Sequence, residues 1–263
     1  MRNQINTNWQ SEKNDEINFW RNHIATGGGK YQEDYKARFN PDLPLQNHIA
    51  RYIKKSVKPG STVKILDAGS GPYTILGKCL ADYKLEITAV DALANEYNQI
   101  LSEFNVIPLV KTELCDVEGL INYFPDNYFD CAHIRNALDH SYDPLLGILQ
   151  MIDVVKPGGY VLIDTYINEG DEGNYHGLHS WNFCPKNDKF IIWNQQGKSL
   201  VVNDYIQGVG YIEEMKVNQG AKAKKRPMFI AIKKTEKTIF ESASNFTLRA
   251  LEVSDSSNFQ KDQ

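Results

Sequence analysis

Short apolar runs alternate with stretches of helical periodicity along most of this chain. Val63–Leu66 is an apolar run closed by Asp67, and the run at 86–90 closes in the same way on Asp91. Runs at 107–110, 129–134, 159–166, 211–217 and 228–232 also read as strands. Helical patterns over 73–82, 92–103 and 143–154, with a short turn near 117–122, separate the first five. Strands that alternate with helices predict a mostly parallel sheet covered on both faces. Ahead of this core, Ile17, Trp20 and Ile24 recur at helical spacing until Gly27-Gly-Gly29 breaks the pattern. Leu45, Ile49, Ile53 and Val57 then repeat every four residues and predict an amphipathic helix running to the Pro59-Gly60 turn.

The first strand carries the most specific chemistry. Asp67-Ala-Gly-Ser-Gly71 is an acid-x-Gly-x-Gly loop expected to turn into the helix at 73–82. Glycines there would let a ligand lie against bare backbone at a helix N-terminus. Asp91, 20 residues after Gly71, stands where it can accept hydrogen bonds from the two hydroxyls of a ribose. A dinucleotide fingerprint would need a third glycine where this chain has Thr74, and Asp67 would repel a pyrophosphate. A ligand bearing a cation would gain from the same carboxylate.

The motifs that follow resemble, in order, those of class I S-adenosylmethionine-dependent methyltransferases, over roughly residues 63–166. Cys115-Asp116-Val117 is similar to the segment that holds the adenine amino group. Phe124-Pro-Asp-Asn-Tyr-Phe-Asp130, Ala137-Leu-Asp-His-Ser-Tyr-Asp-Pro144 and Val155-Lys-Pro-Gly-Gly159 match the segments around the fourth strand and before the fifth. Tyr73 and Cys115 depart from the family, standing where glycines are usual. The resemblance implies a Rossmann-like, seven-stranded, mostly parallel α/β sheet with an N-terminal helical cap (1–58), a core (59–234) with a β-rich specificity insertion near 167–205, and a polar tail (235–263). It implies S-adenosylmethionine as cofactor and S-adenosylhomocysteine as product. The implied cofactor site is Asp67, Gly69, Ser70, Gly71, Asp91, Ala92, Asp116, Val117, Ile134 and Arg135.

Composition narrows the acceptor. A net charge of −4 over 263 residues argues against a surface built for nucleic-acid phosphates or anionic membranes. Ile134-Arg-Asn-Ala137 also lacks the Asn/Asp-Pro-Pro-aromatic motif of base-amino methylators. Four scattered cysteines with no Cys-x-x-Cys, a polar N-terminus and no long apolar stretch fit a reduced, cytoplasmic protein without a membrane span. Oligomeric state is not legible.

Candidate general bases are His140, beside Asp139 and Asp143, and His176 and His179, beyond the fifth strand; each can equally pack as a structural histidine. Candidate substrate contacts are Tyr31, Arg38, Tyr175 and Trp181, and the N-terminal aromatics either pack on the core or form part of the substrate wall. A zinc site from His176-x-x-His179 and Cys184 lacks a fourth ligand at usual spacing, so no metal is expected. Phe190–Trp193 and Ser199–Val202 read as a hairpin, and the basic run at 221–227 as a solvated turn. The resulting expectation is methyl transfer to a small polar acceptor, most simply a hydroxyl of a sugar or similar metabolite. Methylation of a small amine, or a non-catalytic cofactor-binding relative, are the alternatives.

Overall fold

The computed structural model describes residues 2–218 and 226–235, with side chains from residue 12 onward. The expected tail and most of the basic run at 221–227 lie outside the described residues. Seven strands form one sheet: β1 (Thr62–Ala68), β2 (Lys84–Asp91), β3 (Thr112–Leu114), β4 (Phe129–Arg135), β5 (Val155–Tyr166), β9 (Gly210–Val217) and β10 (Pro227–Lys234). Their order is β3-β2-β1-β4-β5-β10-β9. The first five are parallel, and β10 runs antiparallel between β5 and β9. Strand order reverses between β1 and β4, so their carboxyl ends border the crevice in which such sheets bind ligands.

Alternation along each central strand divides the core. Leu66, Ala132, Val161 and Ile163 point to one face, where they meet α5 (Pro144–Val154). Asp143 caps α5 by accepting from the Leu146 amide at 3.1 Å, and Pro144 opens the helix, as expected at a helix start. Val63, Ile65, Cys131 and Leu162 point to the opposite face, against Ile49, Tyr52 and Ile53 of α3 (Asn47–Ser56). A second, three-stranded sheet joins β6 (Trp181–Lys186), β7 (Lys189–Asn194) and β8 (Ser199–Val201) and buries Trp181, Phe183, Phe190 and Ile192 in the α5-side core. The β7–β8 hairpin matches the sequence expectation. β6 extends it by a strand through residues whose mixed composition reads as loop.

Two expectations fail. The helix at 73–82 does not form. Its backbone groups are instead spent on the 41–46 segment: Lys78 and Cys79 donate to the Leu43 carbonyl (2.7 and 3.1 Å), and the Leu45 amide donates to the Cys79 carbonyl (2.7 Å). The Gln46 amide group also donates to the Ile75 carbonyl at 2.8 Å. Gly77 permits this approach, since a Cβ there would lie 2.1 Å from the Pro44 carbonyl oxygen. The third strand lies at Thr112–Leu114, not 107–110. Ile107 is 87% exposed, and pairing begins only where Thr112 meets Ala89.

The N-terminal helix α1 (Arg2–Ala25) lies along α4 (Ala94–Glu103). Lys13 pairs with Glu96 at 3.1 Å and Arg21 with Glu103. Trp20 and Ile24 join Tyr73, Tyr97 and Leu101 in a third apolar cluster. Among the described residues no helix is long and apolar enough to cross a membrane.

Candidate active site

The carboxyl ends of β1, β2 and β4 converge on one loop. Gly69 and Gly71 both hold positive φ (62° and 66°), a backbone that side chains rarely adopt. The loop is pinned from β3: the Thr112 hydroxyl donates to the Gly71 carbonyl at 2.8 Å and lies 3.1 Å from Ser70 Oγ. Asp91, at the tip of β2, accepts from the Gly71 amide through Oδ2 and from the Leu93 amide through Oδ1, both at 2.9 Å. Burial pushes its carboxyl up to about 6, against those two amides. Trp20 covers the loop from above, and a Cβ on Gly71 would come within 2.9 Å of the indole. Asp116 precedes the short 3-10 helix Val117–Asn122; burial raises its pKa, and its carboxylate makes no capping bond to that helix. Ile134 is buried in the core and Arg135 ends β4 exposed.

A model of the methyltransferase domain matches residues 66–163, the segment that carries this loop and these acids. The chain carries a class I S-adenosylmethionine-dependent methyltransferase domain. Among curated proteins, an uncharacterized methyltransferase of Schizosaccharomyces pombe is 28% identical over 150 residues, 53% of this chain and 50% of that protein. The ubiquinone/menaquinone biosynthesis C-methyltransferase UbiE of Vibrio cholerae is 27% identical over 139 residues, 51% of this chain and 53% of its own. A tRNA U34 carboxymethyltransferase of Nautilia profundicola is 26% identical over 169 residues, covering 60% and 55%. The chain thus spans about half the length of the curated relatives it matches. Among solved structures, the N-methyltransferase NodS of Bradyrhizobium japonicum aligns at a TM-score of 0.47 and 13% identity, over 77% of this chain and 91% of that one.

The residues of this methyltransferase domain fit the cofactor. Asp91 sets a carboxylate of the kind a ribose diol needs beside the Gly71 amide, and Gly69 and Gly71 let Ala137 and Trp20 approach the loop more closely than a Cβ would allow. The fit differs from the sequence expectation in one respect. No helix follows the loop, so its amides act without a helix macrodipole behind them.

Asp67 is engaged by protein partners on both carboxylate oxygens. It is 2% exposed and lies on the α3 face of the sheet, where its Oδ1 accepts from His133 Nδ1 at 2.8 Å and its Oδ2 from the Thr74 hydroxyl. His133 donates through Nε2 to Asp164 Oδ2 at 3.1 Å, and His48 of α3 donates to the same oxygen at 2.9 Å. Burial alone would lower the His133 pKa. The two carboxylates override it and hold the imidazole up to about 9, and Asp164 is held well below the usual carboxylate range. This row of charges ties together β1, β4, β5 and α3. No motif marks it, and the one local sign is a histidine inside the otherwise apolar run Cys131–Ile134.

Of the three candidate histidines, the fold brings two together. His140, ending the 3-10 turn Leu138–His140, places Nε2 3.1 Å from Nδ1 of His179, and His179 Nδ1 lies 2.6 Å from Asp139 Oδ2. Asp139 is fully buried, and the two imidazoles hold its carboxyl below the usual range although burial works to raise it. His176 stands apart: its side chain is 80% exposed, 4.0 Å from Asp15 of α1. The candidate substrate residues are dispersed. Trp181 is buried and donates to the Ser141 carbonyl at 3.0 Å, and the Tyr175 hydroxyl accepts from Asn182 at 2.8 Å. Arg38 lies over the Trp20 and Tyr73 rings and donates to the Tyr73 carbonyl at 3.3 Å, while Tyr31 is 47% exposed.

Proposed function

We propose that this protein transfers a methyl group from S-adenosylmethionine to a hydroxyl of a small polar acceptor. The observation that carries this reading is the grouping of Asp139, His140 and His179 on a turn that packs against the glycine loop. Ala137, three residues before His140, packs so closely on the loop that a Cβ on Gly69 would lie 2.4 Å from its own.

When bound, the cofactor supplies a sulfonium methyl that passes to the acceptor oxygen as the carbon–sulfur bond breaks and sulfur keeps the electron pair. Asp91 and the loop orient the cofactor; the Asp139–His140–His179 group receives the acceptor's hydroxyl and promotes the loss of its proton. Alignment supplies much of the rate in such a reaction, and proton removal adds roughly 10²–10⁴-fold. An amine acceptor would need that group less. Relatives named for C-methylation and for tRNA carboxymethylation share the core, so the acceptor class is argued from these local residues and not from likeness.

Calorimetric titration with S-adenosylhomocysteine, with NAD in parallel, tests the cofactor half. The expected result is binding of the first, none of the second, and loss of binding in Asp91→Ala. A screen of hydroxylated acceptors for S-adenosylhomocysteine release tests the other half. Turnover confined to amines or to RNA would overturn the hydroxyl assignment.

A further inference from the structure

We propose that Asp139, His140 and His179 form a site for one divalent transition-metal ion of zinc-like preference. The sequence gives no metal-ligating spacing here, because the ligands come from two elements about 40 residues apart. Asp139 Oδ2, His140 Nε2 and His179 Nδ1 stand 2.6, 3.1 and 3.6 Å from one another. They lie within the mutual distance that allows a shared ion. Three protein ligands on a tetrahedral ion, with bonds of about 2.0–2.2 Å, sit a little over 3 Å apart, and the observed triangle brackets that spacing.

A second observation points the same way. Asp139 is 0% exposed, yet its Oδ1 has no hydrogen-bond partner on another residue. A buried carboxylate oxygen left in that state is costly, and a cation held by this carboxylate would offset the cost.

The site is held in shape by bonds outside it. The Ser180 amide donates to the Asp139 carbonyl at 3.1 Å, and the Trp181 indole donates to the Ser141 carbonyl at 3.0 Å. These bonds clamp the His179 loop onto the turn that carries Asp139 and His140. The two imidazoles remain partly exposed (18% and 32%), so the ion's fourth position faces outward. Three protein ligands and one open position is the pattern of catalytic zinc.

Resting on the methyl-transfer reading above, the fourth ligand is the acceptor's hydroxyl oxygen. The ion acidifies that hydroxyl, its proton leaves to water, and the oxygen forms the new bond to the methyl carbon as the carbon–sulfur bond breaks. Substrates that can place a hydroxyl oxygen on a metal are then favoured over simple amines.

The test uses the full chain, stripped with a chelator and titrated with Zn²⁺ by calorimetry and with Co²⁺ by its visible absorption. One ion per chain and a tetrahedral cobalt spectrum are expected. His179→Ala and His140→Ala should each weaken binding by more than roughly 100-fold, beyond the loss expected for an outer partner. Cys184→Ser should leave binding intact. Circular dichroism on each variant separates loss of the site from loss of the fold. No stoichiometric binding, or binding unchanged in both folded histidine variants, overturns the site. If the stripped protein turns over at the full rate, the ion's role falls while the methyl-transfer reading stands. If the ion binds the triangle but no acceptor is methylated, the site stands and the methyl-transfer reading falls.

Discussion

Asp91, half-buried, and His133, buried, are charges held by short-range partners, and they respond to pH in opposite senses. If Asp91 holds the ribose as proposed, its loss would remove two charge-assisted hydrogen bonds, each worth about 1.5–3 kcal/mol. Asp91→Ala is therefore expected to weaken S-adenosylhomocysteine by roughly 10²–10⁴-fold. Because burial raises this carboxyl to about 6, affinity should also fall as the pH drops through that value, where a neutral acid accepts the hydroxyls poorly. An affinity indifferent to pH across that point would remove Asp91 from the site. His133→Asn leaves Asp67 and Asp164 facing each other without the intervening cation. Breaking a buried pair in this way costs about 3–5 kcal/mol, to be read from denaturant unfolding. The position of Asp91 at the tip of β2 was legible because its motif is contiguous with its strand. His133 was not, because its partners lie 66 and 31 residues away in sequence.

The segment after the glycine loop shows how tertiary contact overrides periodicity. The apolar positions of 73–82 suit a helix, and Leu76 is indeed buried, but the segment is held as an irregular strap against residues 41–46. Gly77→Ala tests that strap. Its Cβ would meet the Pro44 backbone, and overpacking of this kind costs about 1–3 kcal/mol. A melting temperature equal to the parent's would show that the strap yields freely. The strand expected at 107–110 failed for a related reason. Its apolar residues meet no neighbouring strand, and the edge of the sheet selects Thr112–Leu114, where Thr112 also anchors the glycine loop. Helices α3, α4 and α5 and the short turn at 117–122 fell within a few residues of expectation, since each buries a face that its own sequence declares.

For the molecule as a whole, stability should follow the row Asp67–His133–Asp164. His133 has a raised folded pKa, so its contribution is fully present below the ordinary value of 6.5 and lost as pH rises through about 9. Asp164 has a depressed folded pKa, so its contribution is present above the ordinary value of 3.8 and lost on acidification below it. Unfolding free energy measured against pH should therefore decline on both sides of neutrality, and the alkaline decline should vanish in His133→Asn. Cofactor binding acts on the same balance. S-adenosylhomocysteine at 100 times its Kd adds about 2.7 kcal/mol, a rise of roughly 5–10 °C in Tm for a chain of this size. A thermal shift near zero at that ratio would mean that the ligand does not select the folded state.

By itself the sequence determined the fold class, the strands β1, β2, β4 and β5, the glycine loop and Asp91, because these depend on local pattern and on residues adjacent along the chain. Only the tertiary structure decided that Asp67 is paired with His133 and Thr74, that the segment after the loop is a strap and not a helix, and that His179 joins Asp139 and His140 while His176 stands apart. Each of these is settled by backbone and side-chain groups that find their hydrogen-bond partners far away in sequence. Such long-range pairings leave no periodic trace in the chain.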